Sequence, residues 1–486
     1  MPEAMRDLTP LFHPRSVAFV GASNKPGKWG FIILANLVNG GYEGPIYPVN
    51  PRDNEVQGLK AYPSVAALPE TPDMAVIVVP PPNVPKVVQD CVDRGIRAGV
   101  VITAGFAEVG DQGEKLQHEM VEVARSGGMV LVGPNCNGIN RPSLKLYCQM
   151  PPVFPQPGSM AIVAQSGNVA TSVCKRGMKN GFGWSSVVSS GNEADLHSED
   201  YYGYFAEDPQ TEVILGYIEG FRDGRRFLEM ARKVSARKPI VVIKGGYTQA
   251  GASAVMSHTA SLAGLEATFE GACRQAGIIR AKTVNDLFYI GAGFLKQPIP
   301  KGRRVAILTG GGGWGVLAAD ACGEAGLEVF SLPFETLDEL DSFLPPWWSR
   351  SNPIDLVAGL QEGALHRSLD CLLRCPGCDG VILLGIVPAL PMVPLSPSAG
   401  HEAVRAHMDS MLGMAENVIE EFMDMARAYQ KPVVIASEFP AAVGDFEAQL
   451  ALVLGEKGHV CYPAPQDAVT VMDALATYGE RRRSAV

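Results

Sequence analysis

His258 is the residue whose surroundings most invite chemistry. It stands alone in GGYTQAGASAVMSHTASLAG (Gly245 to Gly264), directly after the apolar run PIVVIKGG (Pro239 to Gly246). Small residues let a backbone approach a ligand closely. An imidazole with an ordinary pKa of about 6.5 is mostly neutral at pH 7 and attacks phosphorus without a separate base. Ser257 and Thr259 beside it would each need activation. Alone, the loop fits equally well a histidine that only hydrogen-bonds its surroundings. Two other stretches supply what a phosphorylated imidazole needs. Glu219 closes the apolar run EVILGYIE, where a charge is costly unless paired. A carboxylate there can keep one ring nitrogen protonated and aim the other. In AQSGNVA, Ser166 reads as a helix cap, with Gly167 and Asn168 opening the helix. Such an open terminus favours an anion by about 0.3–1 kcal/mol at an exposed site. A plain cap explains those residues equally. SSGNEADL (Ser189 to Leu196) ends another apolar run and could line the same pocket.

A second group of loops points to a nucleotide-like ligand. GASNKPGKWG (Gly21 to Gly30) is a glycine-rich strand-to-helix turn, whose amides can face a phosphate. Gly21, Ala22 and Ser23 form the turn, and Lys28 and Arg52 could pair with further phosphates. The glycine spacing departs from G-x-G-x-x-G. Where an NAD site wants an acid after the second strand, this chain has Asn50-Pro51-Arg52. An NAD-dependent dehydrogenase is therefore the weaker reading, and it has no use for His258. The segments VVPPP (Val78 to Pro82), ITAGF (Ile102 to Phe106) and VGPNCNG (Val132 to Gly138) are further stiff or glycine-bearing strand ends. Together they predict a rigid crevice at the carboxyl edge of a sheet. TGGGGWGVLAAD (Thr309 to Asp320) resembles a phosphate cradle but lacks the Lys-Ser/Thr of a P-loop, and NPIDL (Asn352 to Leu356) reads as an ordered polar turn. Cys371, Cys375 and Cys378 have a spacing that can ligate iron–sulfur, but they fall at a helix end, where cysteines pack as small hydrophobes.

The elements that must hold these loops are apolar runs of five to eight residues alternating with helical stretches. Continuous apolar strands are buried on both faces, which means parallel sheets covered by helices and an α/β fold. The strands read as 16–20, 45–49, 74–79, 99–103, 129–133, 160–165, 185–190, 212–219, 239–244, 303–309, 380–386 and 432–437. The Pro-rich stretches MPPVFPQPG (Met150 to Gly158) and KQPIPKG (Lys296 to Gly302) divide them into units over 1–145, 155–297 and 302–480. With 486 residues, 19% charged and a net charge of −10, the composition is globular and disfavours a nucleic-acid or anionic-membrane surface. The N-terminus lacks the order of a signal peptide and no apolar stretch reaches a membrane span, so a cytoplasmic location is expected.

Taken together, GASNKPGKWG, VVPPP, ITAGF, VGPNCNG, AQSGN, YIEGFRDGRRF, SHTASLAG, TGGGGWGVLAAD and NPIDL resemble the NDP-forming acyl-CoA synthetases, the superfamily that includes succinyl-CoA synthetase. The resemblance covers nearly the whole chain. It implies a Rossmann-like CoA-binding domain followed by two flavodoxin-like parallel-sheet domains. It implies His258 as the phosphohistidine and Glu219 as the glutamate that steadies its ring. Ser166, Gly167 and Asn168 match the helix N-terminus that receives the phosphoryl group. Gly21, Ala22, Ser23, Lys28, Asn50, Pro81, Thr103 and Asn135 match the CoA site. The family often has Thr-Asn before the third glycine turn, and Gly310 stands in the Asn position here. No ATP-grasp domain fits beside three α/β units. The chain thus resembles an alpha subunit whose partner, an ATP-grasp beta subunit, binds ATP or GTP with Mg2+ in a hetero-oligomer. The implied reaction is acid + CoA + NTP to acyl-CoA + NDP + phosphate, and no metal site on this chain is implied. A non-catalytic CoA-binding or regulatory protein is the alternative.

Overall fold

In a computed structural model, the described residues are 6–251, 266–356, 363–385, 401–437 and 446–484. They form two compact units, one of Met1–Arg176 with Gly183–Leu287 and one of Gly177–Phe182 with Phe288–Val486.

Among the described residues the first unit holds two large sheets and a small antiparallel pair, Glu55–Val56 with Leu59–Lys60. In the first, the strands run Ile46–Val49, Val17–Val20, Met74–Ile77, Ala98–Val101, Val130–Val132, all parallel. The segments VAFV and MAVI are buried at every position, as strands covered on both faces must be. The chain leaves Val17–Val20 toward one side and returns on the other at Met74–Ile77. The switch point is therefore between those two strands, and in open α/β sheets ligands bind outside the carboxyl ends at such a point. Helices Trp29–Asn39, Val84–Asp93 and Asp111–Ser126 cover this sheet.

In the second sheet the order is Ile279–Arg280, Ile240–Lys244, Val213–Ile218, Pro157–Ala164, Trp184–Ser189, Gly138–Arg141, Leu146–Gln149. The first five are parallel, and Gly138–Arg141 pairs antiparallel with both Trp184–Ser189 and Leu146–Gln149. The sequence did not single out 138–141 or 146–149 as strands. Their inclusion means that the VGPNCNG segment leaves the first sheet and enters the second. The switch point of this sheet lies between Pro157–Ala164 and Val213–Ile218, which places the ends of AQSGN and YIEGF side by side. The buried Arg141 guanidinium anchors this edge by a two-pronged pair with Asp208, at 2.7 and 3.0 Å.

The second unit carries a parallel sheet ordered Glu328–Val329, Arg304–Thr309, Gly380–Leu384, Val433–Ala436, Cys461–Tyr462, with Ile354–Asp355 also pairing Arg304–Thr309. Asn352 supports the NPIDL turn: its carbonyl accepts from the Ile307 N–H, and its amide donates to the Val305 and Phe330 carbonyls. Cys371, Cys375 and Cys378 are buried in the core of this unit, with Cys375 capping helix Ala364–Arg374. Burial pushes the Cys371 thiol up to about 12 and the Cys378 thiol to about 11, so both stay protonated and act as small apolar groups. Among the described residues no helix is long and apolar enough to cross a membrane.

Candidate active site

At the first switch point the chain closes a tight strand–turn–helix. Gly21 has φ +95°, and a Cβ there would lie 2.1 Å from the Val78 carbonyl oxygen. A Cβ on Gly30, in the first turn of the following helix, would lie 2.0 Å from the Gly21 oxygen. No larger residue fits either position without moving backbone. Ala22 is buried, and its carbonyl accepts from the Asn50 amide at 3.0 Å. The Asn50 side-chain oxygen in turn accepts from the Arg52 and Asp53 N–H groups, so the PVNPRD turn is tied to the glycine turn. The Ser23 hydroxyl accepts from the Lys25 N–H, and Lys28 is exposed at the entry to helix Trp29–Asn39.

The remaining strand ends lock together. The Thr103 hydroxyl donates to the Val79 carbonyl at 2.7 Å, and the Asn135 N–H donates to the Thr103 carbonyl at 2.9 Å. Pro81 opens a short turn that abuts Gly105 of ITAGF. Asn135 takes a left-handed φ of 55°, and its amide donates to the Asn192 side-chain oxygen. The Asn192 amide donates to the Glu108 carboxylate at 2.6 Å. Burial pushes the Glu108 acid up, but bonds from Asn192 and from the Gly105 and Phe106 N–H groups outweigh it, and its pKa falls below the usual range. A cavity of about 370 Å³ lies here, lined by Trp29, Val79, Thr103, Asn135, Asn137 and Met150 among others. Of the expected CoA residues, Thr103 and Asn135 line it. Gly21, Ala22, Ser23, Lys28, Asn50 and Pro81 are in the adjoining turns.

Asn137 connects this cavity to the second switch point. Helix Gly167–Lys179 begins against it: a Cβ on Gly167 would lie 2.2 Å from the Asn137 side-chain carbonyl carbon. Ser166 is half-buried and Asn168 exposed, and the first-turn amides of a helix have no intrahelical partners, so this terminus adjoins the Asn137 wall of the cavity. This arrangement suits an anion between the cavity and the helix.

Glu219 stands one residue beyond strand Val213–Ile218, and is 5% exposed. Its carboxylate accepts from the Tyr217 hydroxyl at 3.1 Å. Burial pushes the Tyr217 hydroxyl well up, and the neighbouring Glu219 charge adds to that, so it remains a donor. Gly245 packs on both: a Cβ there would lie 2.4 Å from the Tyr217 oxygen and 3.4 Å from Glu219 Cγ. The segment leading to residue 258 therefore starts against Glu219. His258 itself lies outside the described residues, as does the rest of SHTASLAG.

Sequence reasoning placed SSGNEADL at this pocket as a segment, but it gave no individual role to Tyr217, Gln165, Glu193 or Asn192. The available signal was Glu193, a charge inside the small-residue loop SSGNEADL. In the structure it is buried and takes a left-handed φ of 49°. In the second unit, the Thr309 hydroxyl donates to the Gly311 carbonyl and a Cβ on Gly312 would lie 2.9 Å from an Asp355 oxygen, so the third glycine turn packs against NPIDL.

The comparisons follow the same order along the chain. A CoA binding domain model matches residues 15–142, a succinyl-CoA ligase like flavodoxin domain matches 157–294, and a ligase-CoA domain matches 305–478. The alpha subunit of acetate–CoA ligase [ADP-forming] I from Pyrococcus furiosus is 38% identical over 477 residues, covering 96% of this chain and 97% of that one. Acetate–CoA ligase [ADP-forming] I from Archaeoglobus fulgidus is 42% identical over 382 residues, or 79% of this chain and 55% of that one. Among solved structures, the dinucleotide-forming acetyl-coenzyme A synthetase 1 of Ca. Korarchaeum cryptofilum, in complex with phosphate and ADP, superposes with a TM-score of 0.85 at 36% identity, covering 98% of both chains. With a cavity at the first switch point whose wall residue Asn137 meets the helix leaving the second, and a relative matched over 97% of its length, the chain belongs to the NDP-forming acyl-CoA synthetases, a family of acid–thiol ligases.

Proposed function

We propose that this chain is the alpha subunit of an NDP-forming acyl-CoA synthetase that joins a small carboxylic acid to CoA through an acyl phosphate and a phosphorylated His258. The observation that carries the reading is the junction at Asn137, where a ligand cavity meets the open N-terminus of helix Gly167–Lys179. An acyl phosphate needs that junction: its phosphoryl group sits at the helix amides while its acyl carbon faces the CoA thiol.

The steps balance as follows. A His258 ring nitrogen attacks the terminal phosphorus of the nucleotide, and NDP leaves with the bridging oxygen. The substrate carboxylate then attacks that phosphorus, the P–N bond breaks, and acyl phosphate forms. The CoA thiolate attacks the acyl carbon, and inorganic phosphate leaves. Glu219, beside Gly245, holds the ring through its other nitrogen in this reading. Ser166, Gly167 and Asn168 receive the phosphoryl group. Gly21, Ala22, Ser23, Lys28, Asn50, Pro81, Thr103 and Asn135 frame CoA.

The domain limits 1–145, 155–297 and 302–480 belong to the same proposal, as does a cytoplasmic location. So does a separate ATP-grasp subunit that binds ATP or GTP with Mg2+. The Pyrococcus relative, named as an alpha subunit, is matched over 97% of its length, and this supports a two-chain enzyme. The test is phosphoenzyme labelling. The chain, incubated with its partner and γ-labelled ATP, acquires acid-labile label, and His258→Ala loses the label while still binding CoA. Label that survives this substitution ends the assignment.

A further inference from the structure

We propose that Gln165 is a positioning residue for Glu219, and that the buried carboxylate of Glu193 sets the orientation of Gln165. This rests on the reading of Glu219 as the partner of His258.

Gln165 is the first residue after strand Pro157–Ala164, and it reaches across the second switch point. Its side-chain oxygen accepts from the Glu219 N–H at 2.6 Å and from the Gly220 N–H at 3.3 Å. Its amide nitrogen donates to the Gly220 carbonyl at 2.9 Å and to Glu193 Oε2 at 3.1 Å. The Gln165 backbone N–H also donates to the Tyr217 carbonyl at 3.2 Å. A primary amide has one accepting oxygen and two N–H donors. Here both ends are used, and turning the amide over would set its NH2 against two N–H groups. One orientation is therefore enforced, and it fixes the backbone from which the Glu219 carboxylate projects.

Glu193 is 3% exposed. Its Oε1 accepts from the Ser190 and Ser198 hydroxyls, each at 2.7 Å, and its Oε2 accepts from Gln165 and from the Ser198 N–H. A carboxylate is expensive to bury, and a left-handed φ is an added cost for a residue with a Cβ. An apolar side chain would cost less there. Two local costs at one residue are the pattern of a group retained for the geometry it imposes. Gln165 touches no reacting atom in this scheme and acts by placing Glu219.

The test follows transfer from radiolabelled acetyl phosphate to His258, a step that needs this chain and no nucleotide. Gln165→Glu puts a carboxylate oxygen where an N–H now donates, facing both Glu193 and the Gly220 carbonyl. The labelling rate is expected to fall at least about tenfold with CoA affinity unchanged, and the thermal midpoint to fall because two carboxylates then face each other at a buried position. Gln165→Glu combined with Glu193→Gln exchanges amide and acid across the 3.1 Å contact and is expected to recover part of the rate, the contact with the Gly220 carbonyl staying unfavourable. In a Glu219→Ala background, Gln165→Glu is expected to change the rate less than about twofold, because it acts only through Glu219. An unchanged rate in Gln165→Glu, an equal loss in both backgrounds, no recovery in the exchanged pair, or a loss matched by lost CoA binding each overturns the proposal. A fully active Glu219→Ala overturns the underlying reading as well, and it is recognised separately because that single variant shows it.

Discussion

Replacing Gly167 by alanine tests whether the helix N-terminus and the cavity form one site. The added Cβ would lie 2.2 Å from Asn137 Cγ, 2.3 Å from Nδ2 and 2.7 Å from Oδ1, where ordinary contact is 3.4–4 Å. The Asn137 amide group must therefore retreat by about 1.2 Å (3.4 less 2.2), or the helix must tilt away by as much. The Asn137 backbone is held, its N–H donating to the Ser189 hydroxyl at 2.9 Å, so the relief must come from its side-chain torsions or from the helix. Such overpacking costs about 1–3 kcal/mol of stability, offset by up to about 1 kcal/mol from replacing glycine within a helix. Net destabilisation should be small. The chemical cost should be large: a displacement of about 1 Å in a reacting geometry is worth on the order of 10²-fold in rate, or about 2.7 kcal/mol of barrier. Rapid-quench measurement of His258 labelling from acetyl phosphate reads this directly, with thermal unfolding as the control. Gly167→Ala/Asn137→Ala opens the clash and should regain part of the rate. A Gly167→Ala enzyme that labels at the normal rate would show that phosphate does not dock at this terminus.

Three further outcomes are expected. Burial pushes the Glu193 acid above its ordinary range, only partly offset by bonds from Ser198, Ser190 and Gln165. A raised folded pKa means that stability is fully present below the unfolded value of about 4.3 and is lost as pH rises through the folded one. Glu193→Gln should thus gain on the wild type as pH increases from about 4 toward neutrality, and a pH-independent difference in thermal midpoint would contradict this. Asp208→Asn leaves the buried Arg141 guanidinium without its counter-charge and should cost about 3–5 kcal/mol in denaturant titrations, while a loss under about 1 kcal/mol would show that the pair is not structural. Thr103→Val removes the 2.7 Å bond that ties two strand ends at the cavity; calorimetry should show CoA binding weakened by about 1 kcal/mol with His258 labelling retained, and a selective loss of labelling would reassign the residue.

The strands were legible because each is a continuous apolar run, a pattern that only burial on both faces explains. Every run read from the sequence, from 16–20 to 432–437, corresponds to an observed strand to within two residues at each end, except that the strand read from 160 starts at Pro157. The glycine turns were legible for a similar reason: Gly21 and Gly167 occupy positions that a Cβ cannot, and small residues clustered after a strand signal close backbone approach. Those local constraints determined the α/β class, the glycine-rich strand-to-helix turns and the carboxylate at the end of YIE.

Strand order is a long-range property, and adjacent residues do not encode it. Only the tertiary structure set Pro157–Ala164 beside Val213–Ile218, and so brought the Gln165 amide within 2.6 Å of the Glu219 N–H across 54 residues. The same holds for Glu193. In sequence it is one acid in a polar loop, and its purpose becomes visible when folding strips away its water and leaves two serines, a backbone amide and a glutamine to take water's place. The sequence specified which groups can do phosphoryl chemistry. Packing at the two switch points decided which of them meet, because desolvation and hydrogen-bond pairing act on neighbours in space.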